Sequence, residues 1–389
     1  MSTRRGPLVS VVMPCHNAQD TVIETIAAIQ AQTLADWELV VVDDGSTDAT
    51  YERIAALSDR RIRLVHQPNR GPSAARNLGV LLARAPLIAL QDADDLSLPQ
   101  RLEGQRRALL DHPEWSAVGS GYSWIDAAGQ DIPWQHPWQG WPPIEGLETW
   151  LYGCPFFPSA TMLPRRTYLA VGGMESDLRG GEDWNLWLKI ILAGGTLGWH
   201  RQIVCRYRVA GGSLSNQARS MARDCPIALG RVLADPRFPP ELQASGQRAL
   251  ALRHLDGWKR FFQAGLWAEG CRELHEALDR DPDLAQGRPS RLEDEIIVAA
   301  LSPVAPDSQA TLEAFVAHLP AEQRASLSVE HLRWRLRIEA PALRRSTESL
   351  GLLRWALQLP KRLLDPSSRA YLRRALGNRL STALGGSRS

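Results

Sequence analysis

Asp92, Asp94 and Asp95 close a run that starts with four apolar residues, Leu87-Ile88-Ala89-Leu90, and passes through Gln91. The apolar stretch does not alternate, so it reads as a short strand buried on both faces. The acids then stand where that strand leaves its sheet, the edge at which open α/β sheets bind ligands. Two residues apart, Asp92 and Asp94 share one face if the strand continues. Close carboxylates repel unless a cation lies between them. A hard divalent ion such as Mg²⁺ or Mn²⁺, with phosphate oxygens completing its shell, suits such a pair. The same residues equally suit a solvated acidic turn capping the helix near Pro99. A second acidic pair, Glu182-Asp183, follows Gly180-Gly181 and opens an evident helix, Glu182 to Ile190. Glycines there let the backbone approach a ligand, while two acids in a first turn also suit the helix dipole alone.

The elements that must position these acids alternate. Val9 to Pro14 is a β-branched strand stopped by proline. Asp20 to Gln32 has helical apolar spacing, with Asp20 or Thr21 near its N-cap. Trp37 to Val42 is the second strand, followed by a helix through Ile54 and Leu57. Ile62 to Val65 is the third, and Gly71-Pro72 opens a helix through Leu82 before the fourth strand, Leu87 to Leu90. This βαβ order predicts a mostly parallel sheet with right-handed crossovers. Asn17, then Asp43 and Asp44, then Arg70 and Arg76, then Asp92 to Asp95 follow successive strands, so a parallel sheet gathers them on one edge. No GxGxxG follows the first strand and no GxxxxGK[ST] is present, which argues against a dinucleotide site and a P-loop.

Residues 111–165 are less regular and rich in tryptophan: Trp115, Trp124, Trp134, Trp138, Trp141 and Trp150. They could stack on sugar rings, but each taken singly reads as hydrophobic fill. Val118 to Trp124 is a candidate strand, Ala127 to Gln130 a turn, and Gly198 to Val209 a strand or hairpin. Near residue 218 the β signals vanish. Residues 252–282 resemble one tetratricopeptide-like helical hairpin, broken at Ala264-Gly265, without a second copy. Pro341 to Ser389 carries ten basic residues against two acidic ones, interleaved with leucines. That tail suits anionic lipid, or packs as a helix on its own domain.

At 389 residues, 44% hydrophobic and 23% charged, the chain should hold two domains of ordinary globular composition. A net charge of +2 does not point to nucleic acid. Five dispersed cysteines without a CxxC pair suggest a reducing cytosol and neither disulfides nor structural zinc. Met1 to Pro7 lacks the apolar segment of a signal peptide. No run reaches the roughly 18 apolar residues of a membrane span.

Val9 to Asn17, Val40 to Asp48, Gly71 to Asn77, Asp92 to Asp95 and Gly172-Gly173…Glu182-Asp183-Trp184, in that order, resemble the successive signatures of family 2 glycosyltransferases with the GT-A fold, over residues 7–218. The resemblance implies an inverting, metal-dependent transfer of a single hexosyl unit from a nucleotide sugar, a UDP-sugar by preference, to a hydroxyl of a glycan or lipid-linked acceptor in glycan or polysaccharide assembly. It implies that Asp43 meets the nucleobase, that Asp44 and the Pro14 to Asn17 backbone line the same pocket, and that Arg76 and Arg70 face the diphosphate or ribose. Asp92 and Asp94, with Asp95 as a substitute ligand, would hold Mg²⁺ or Mn²⁺ against the phosphates. Asp183 would be the base, with Glu182 and Trp184 on the acceptor or sugar side. Many relatives carry a histidine where this chain has Ala210, and the QxxRW signature of processive synthases is absent. The chain is thus expected to comprise a GT-A domain (1–218), a mainly α-helical domain (219–340) and a basic amphipathic tail (341–389), cytoplasmic and peripheral at the inner membrane face. A nucleotidyltransferase and a non-catalytic scaffold are the competing readings. The first lacks its glycine-rich loop after strand one, and the second would not need all three acids.

Overall fold

Strand β1 (Val9–Cys15) is buried at every position. In the computed structural model it lies between β2 (Trp37–Asp44) and β4 (Leu87–Leu90), with β3 (Ile62–Gln67) outside β2, all parallel. Burial on both faces explains the unalternating apolar runs. Alternate β2 residues serve opposite layers. Trp37, Leu39 and Val41 join Val22, Ile26 and Ile29 of helix α1 (Val22–Gln30), whereas Val40 and Val42 pack against Ala75, Leu78 and Leu82 of α3 (Pro72–Leu82). Each such side chain contributes roughly 1.5–3 kcal/mol by leaving water. Helix α2 (Thr50–Ala55) is shorter than its sequence pattern, which runs on to Leu57.

The structure describes residues 6–135, 146–209, 218–286, 290–300, 307–327 and Leu332. Among them the sheet continues past β4 as β8, β6, β9 and β5, with β7 (Asp131–Gln135) paired to β6. β8 (Thr161–Pro164) is antiparallel to β4 and to β6 (Trp115–Ile125). β9 (Thr196–Arg208) is parallel to β6, and β5 (Leu96–Ser97) antiparallel to β9. The sheet is therefore mixed, and the parallel expectation holds for its first four strands. β5 and β8 carry no periodic signal, having two and four residues. The helices of this half are α4 (Arg101–Asp111), α5 (Leu147–Leu151), α6 (Arg165–Ala170) and α7 (Glu182–Leu192).

The chain divides into two compact units, one holding nearly all of residues 6–209 and the other residues from 214 onward together with Leu151–Gly153. The second unit is helical where described: α8 (Ala218–Leu233), α9 (Gln243–Gln263), α10 (Trp267–Arg280), α11 (Arg291–Ala300), α12 (Ser308–His318) and α13 (Ala321–Ser326). α9 and α10 form the hairpin expected at Ala264-Gly265, where Gly265 takes φ 71°. Its core is aromatic, with Trp258, Phe262 and Phe315 in mutual edge contact. A buried ion pair joins Lys259 to Glu295 at 2.5 Å. No helix among the described residues is long and apolar enough to cross a membrane. Trp138, Trp141, Ala210 and the tail 341–389 lie outside the described residues.

Candidate active site

At the carboxyl edge of the sheet, Cys15, Asp43 and His66 stand in register across β1, β2 and β3. Asp43 is fully buried, and its Oδ2 lies 2.7 Å from His66 Nδ1. Asp44 is buried too. Its Oδ1 accepts from Gln67 Nε2 (2.6 Å) and the Arg70 amide (2.8 Å), and its Oδ2 accepts from the Gly71 amide (2.8 Å). Asp44 thus ties down the loop that delivers α3, whose N-cap Gly71 takes φ 88° and whose first residue is Pro72. Pro14 is buried in β1, while Asn17 and Arg70 are exposed. Asn17 sits at φ 50°, a left-handed conformation that asparagine tolerates, and its Oδ1 accepts from the Thr47 amide at 2.8 Å.

The turn after β4 is held by its own carbonyls. Ala93 O accepts from the Thr21 and Thr25 hydroxyls, both at 3.0 Å, so the Thr21 hydroxyl braces this turn instead of capping α1. Gln91 Nε2 donates to Asp92 O (2.9 Å) and Asp95 O (3.0 Å), and Arg208 Nε donates to Asp94 O (2.9 Å). Gln91 Oε1 in turn accepts from Ser97 Oγ (2.7 Å) and from Arg101 Nη1 (2.6 Å), Arg101 being wholly buried. Asp95 departs from the expectation of a substitute metal ligand. It is buried, Ser159 Oγ donates to its Oδ2 (2.6 Å), and the Arg208 amide donates to its Oδ1 (2.9 Å). Both oxygens therefore serve the scaffold. Burial, then the neighbouring charges of Asp94 and Asp92, push its carboxyl well up. Asp94 is pushed up to about 6 by burial and then by Asp92.

Helix α3 brackets the second acidic pair. Ser73 Oγ donates to Leu178 O (3.2 Å). Asn77 Oδ1 accepts from the Met174 amide (3.0 Å) and the Tyr168 hydroxyl (2.6 Å). A Cβ on Gly173, which has φ 69°, would lie 2.5 Å from that Oδ1, so only glycine fits there. Arg76, buried between the two acidic clusters, donates through Nη2 to Asp92 Oδ1 (2.5 Å) and through Nη1 to Glu182 Oε1 (3.0 Å). Burial alone would lower its affinity for a proton, but Asp92 and Glu182 more than offset that and raise it. Asp183, partly buried at the start of α7 behind the left-handed N-cap Gly181, is pushed up to about 7 by burial and then by Glu182. A carboxyl poised there is matched to taking a proton near neutrality. Cys154 Sγ lies 3.9 Å from its Oδ2. Trp184, expected on the sugar side, faces the core: it is 3% exposed and its indole N–H donates to Trp150 O at 2.7 Å. The spacing of α7 sends the residue after Asp183 inward, so this ring offers no face to a sugar.

Asp92 and Asp94 are hard oxygen donors, and Asp94, half-buried near a like charge, pairs with no basic side chain in the described structure. That donor set fits Mg²⁺ or Mn²⁺. No group of three or more His, Cys, Asp or Glu gathers among the described residues, so phosphates and water would complete the shell. His66, Gln91, Arg101, Ser159 and Arg208 escaped sequence reading. A hint existed for Arg101, because a cation in the first turn of α4 opposes the helix dipole and needs another reason to be there.

The family model described as Glycosyl transferase family 2 matches residues 10–172. The chain is 34% identical over 195 residues to the putative glycosyltransferase EpsE of Bacillus subtilis, covering 49% of this chain and 68% of that protein. It spans only about a third of two longer Rickettsia relatives, 33% in each case. Among solved structures, S. aureus TarS 1-349 in complex with UDP-GlcNAc superposes with a TM-score of 0.56 at 16% identity, over 79% of this chain and 89% of that one. The mannosyltransferase PcManGT of Pyrobaculum calidifontis, in complex with GDP-Man and Mn²⁺, gives 0.51 at 21% identity, over 83% and 88%.

Proposed function

The chain belongs to glycosyl transferase family 2, with the GT-A fold, and from that premise we propose that it moves a single sugar from a UDP-sugar to a hydroxyl of a glycan or lipid-linked acceptor, with inversion at the anomeric carbon. One observation carries the reading. Arg76 ties the acid turn, Asp92 and Asp94, to the Glu182-Asp183 pair, so a group that binds diphosphate and a group that takes a proton stand in one cluster. The nucleoside diphosphate lies along the carboxyl edge, with Pro14, Asn17 and Arg70 around its nucleoside end. Arg76 turns its guanidinium toward the phosphates, where two N–H groups can serve two oxygens. Glu182 orients the sugar. Asp183 takes the acceptor proton as the hydroxyl oxygen attacks the anomeric carbon and the diphosphate leaves from the opposite face. A divalent ion on Asp92 and Asp94, when bound, offsets the charge that builds on the leaving group.

Support for a nucleotide-sugar donor comes from UDP-GlcNAc bound to TarS and GDP-Man bound to PcManGT, and for a metal from the Mn²⁺ of the latter. The role in polysaccharide assembly, and a peripheral contact of the basic tail with the membrane, belong to the same reading. The test is release of UDP from a panel of UDP-sugars incubated with Mn²⁺ and the protein. Turnover of one donor by the wild type, abolished in Asp183→Asn while UDP still binds, is the expected result. Equal turnover by Asp183→Asn would remove Asp183 as base, and turnover of GDP-sugars alone would overturn the uridine assignment.

A further inference from the structure

A carboxylate that reads a nucleobase must present an oxygen to it, and Asp43 presents none. It is 0% exposed, its Oδ2 faces His66 Nδ1, and its Oδ1 lies 4.0 Å from the Cys15 thiol. The imidazole in front of it is open, with the His66 side chain 54% exposed. Tyr51 stands edge-on to that ring, the centroids 6.0 Å apart at 89°. The carboxylate on Nδ1 holds the proton at Nδ1, which leaves Nε2, across the ring, as the acceptor. The pair lies at the carboxyl edge beside Asp44 and the loop that leads to Arg76.

We propose that His66 reads the base, accepting the imide N–H of a 2,4-diketo pyrimidine at Nε2, with Asp43 behind it as a positioning residue. This rests on the nucleotide-sugar reading of the site and refines it. The contact selects uracil by its N3–H and disfavours cytosine, whose N3 is an acceptor that would face another acceptor.

The test is a chemical and genetic deletion of the same hydrogen bond. Calorimetry with Mn²⁺ present compares UDP, N3-methyl-UDP and inorganic pyrophosphate on wild type, His66→Ala and His66→Gln. The wild type should bind UDP roughly tenfold more tightly than N3-methyl-UDP, the worth of one hydrogen bond. In His66→Ala that ratio should fall to about one, with pyrophosphate affinity unchanged. Glutamine, which can still accept, should restore part of the ratio. A ratio that survives in His66→Ala overturns the proposal and returns the contact to another group. Equal loss of UDP and pyrophosphate in both variants also overturns it, by making His66 a structural residue only. Failure of the wild type to bind UDP, with pyrophosphate still bound, overturns the uridine reading itself and this inference with it.

Discussion

Ser159→Ala is the most informative single change, because one hydroxyl serves the acid turn in two directions. The Asp92 amide donates to Ser159 Oγ at 2.9 Å, and Ser159 Oγ donates to Asp95 Oδ2 at 2.6 Å. Ser159 is fully buried. Alanine keeps the shape and leaves both partners without a protein group to bond. A hydrogen bond to a charged group is worth about 1.5–3 kcal/mol, and an orphaned buried amide costs about 1–3 kcal/mol. Allowing for relaxation, the expected loss is about 3 kcal/mol. At about 2–4 °C per kcal/mol for a unit of this size, the melting temperature should drop on the order of 9 °C. Thermal unfolding by circular dichroism reads this directly. Calorimetry should also show Mn²⁺-dependent UDP binding weakened, since the Asp92 amide fixes the direction of its side chain, with uridine binding unchanged. A loss under about 1 kcal/mol with unaltered UDP affinity would refute the reasoning, since the hydroxyl would then hold neither group in place.

The pH profile of turnover should rise through about 7 as Asp183 gives up its proton, and Glu182→Gln should shift that midpoint to lower pH, because the Glu182 charge is among the causes that hold the Asp183 proton on. A profile unmoved by Glu182→Gln would assign the titration elsewhere. Trp184→Phe should cost about 1–2 kcal/mol of stability through the bond lost to Trp150 O, with the acceptor KM unchanged; a raised KM without lost stability would put the ring back at the sugar. Removal of Pro341 to Ser389 should abolish sedimentation with phosphatidylglycerol vesicles at low salt, and unchanged binding would end the membrane contact.

The parallel half of the sheet was readable because β1, β2 and β4 are buried on both faces and so carry unbroken apolar runs. Gly71-Pro72 marked the start of α3, and the acids followed their strands. What escaped reading depends on partners distant in the chain. Ser159 meets Asp92 across 67 positions, and Arg76 meets Glu182 across 106. No local pattern records either. β5 exists only because β9 pairs with it, and β8 is four residues ending in proline. His66 lies on an edge strand, where an isolated polar residue looks like ordinary surface. Trp184 misled for the opposite reason: it adjoins a site residue, but the next position on a helix faces elsewhere, here into the core.

The central claim is that Asp92 and Asp94 hold a divalent ion against the diphosphate of a uridine nucleotide. Titration of UDP into the protein with and without Mn²⁺, on wild type and on the double variant Asp92→Ala/Asp94→Ala, tests it most directly. The account predicts UDP binding that requires Mn²⁺ in the wild type and disappears in the variant. Binding that persists without metal and survives the double substitution would contradict it.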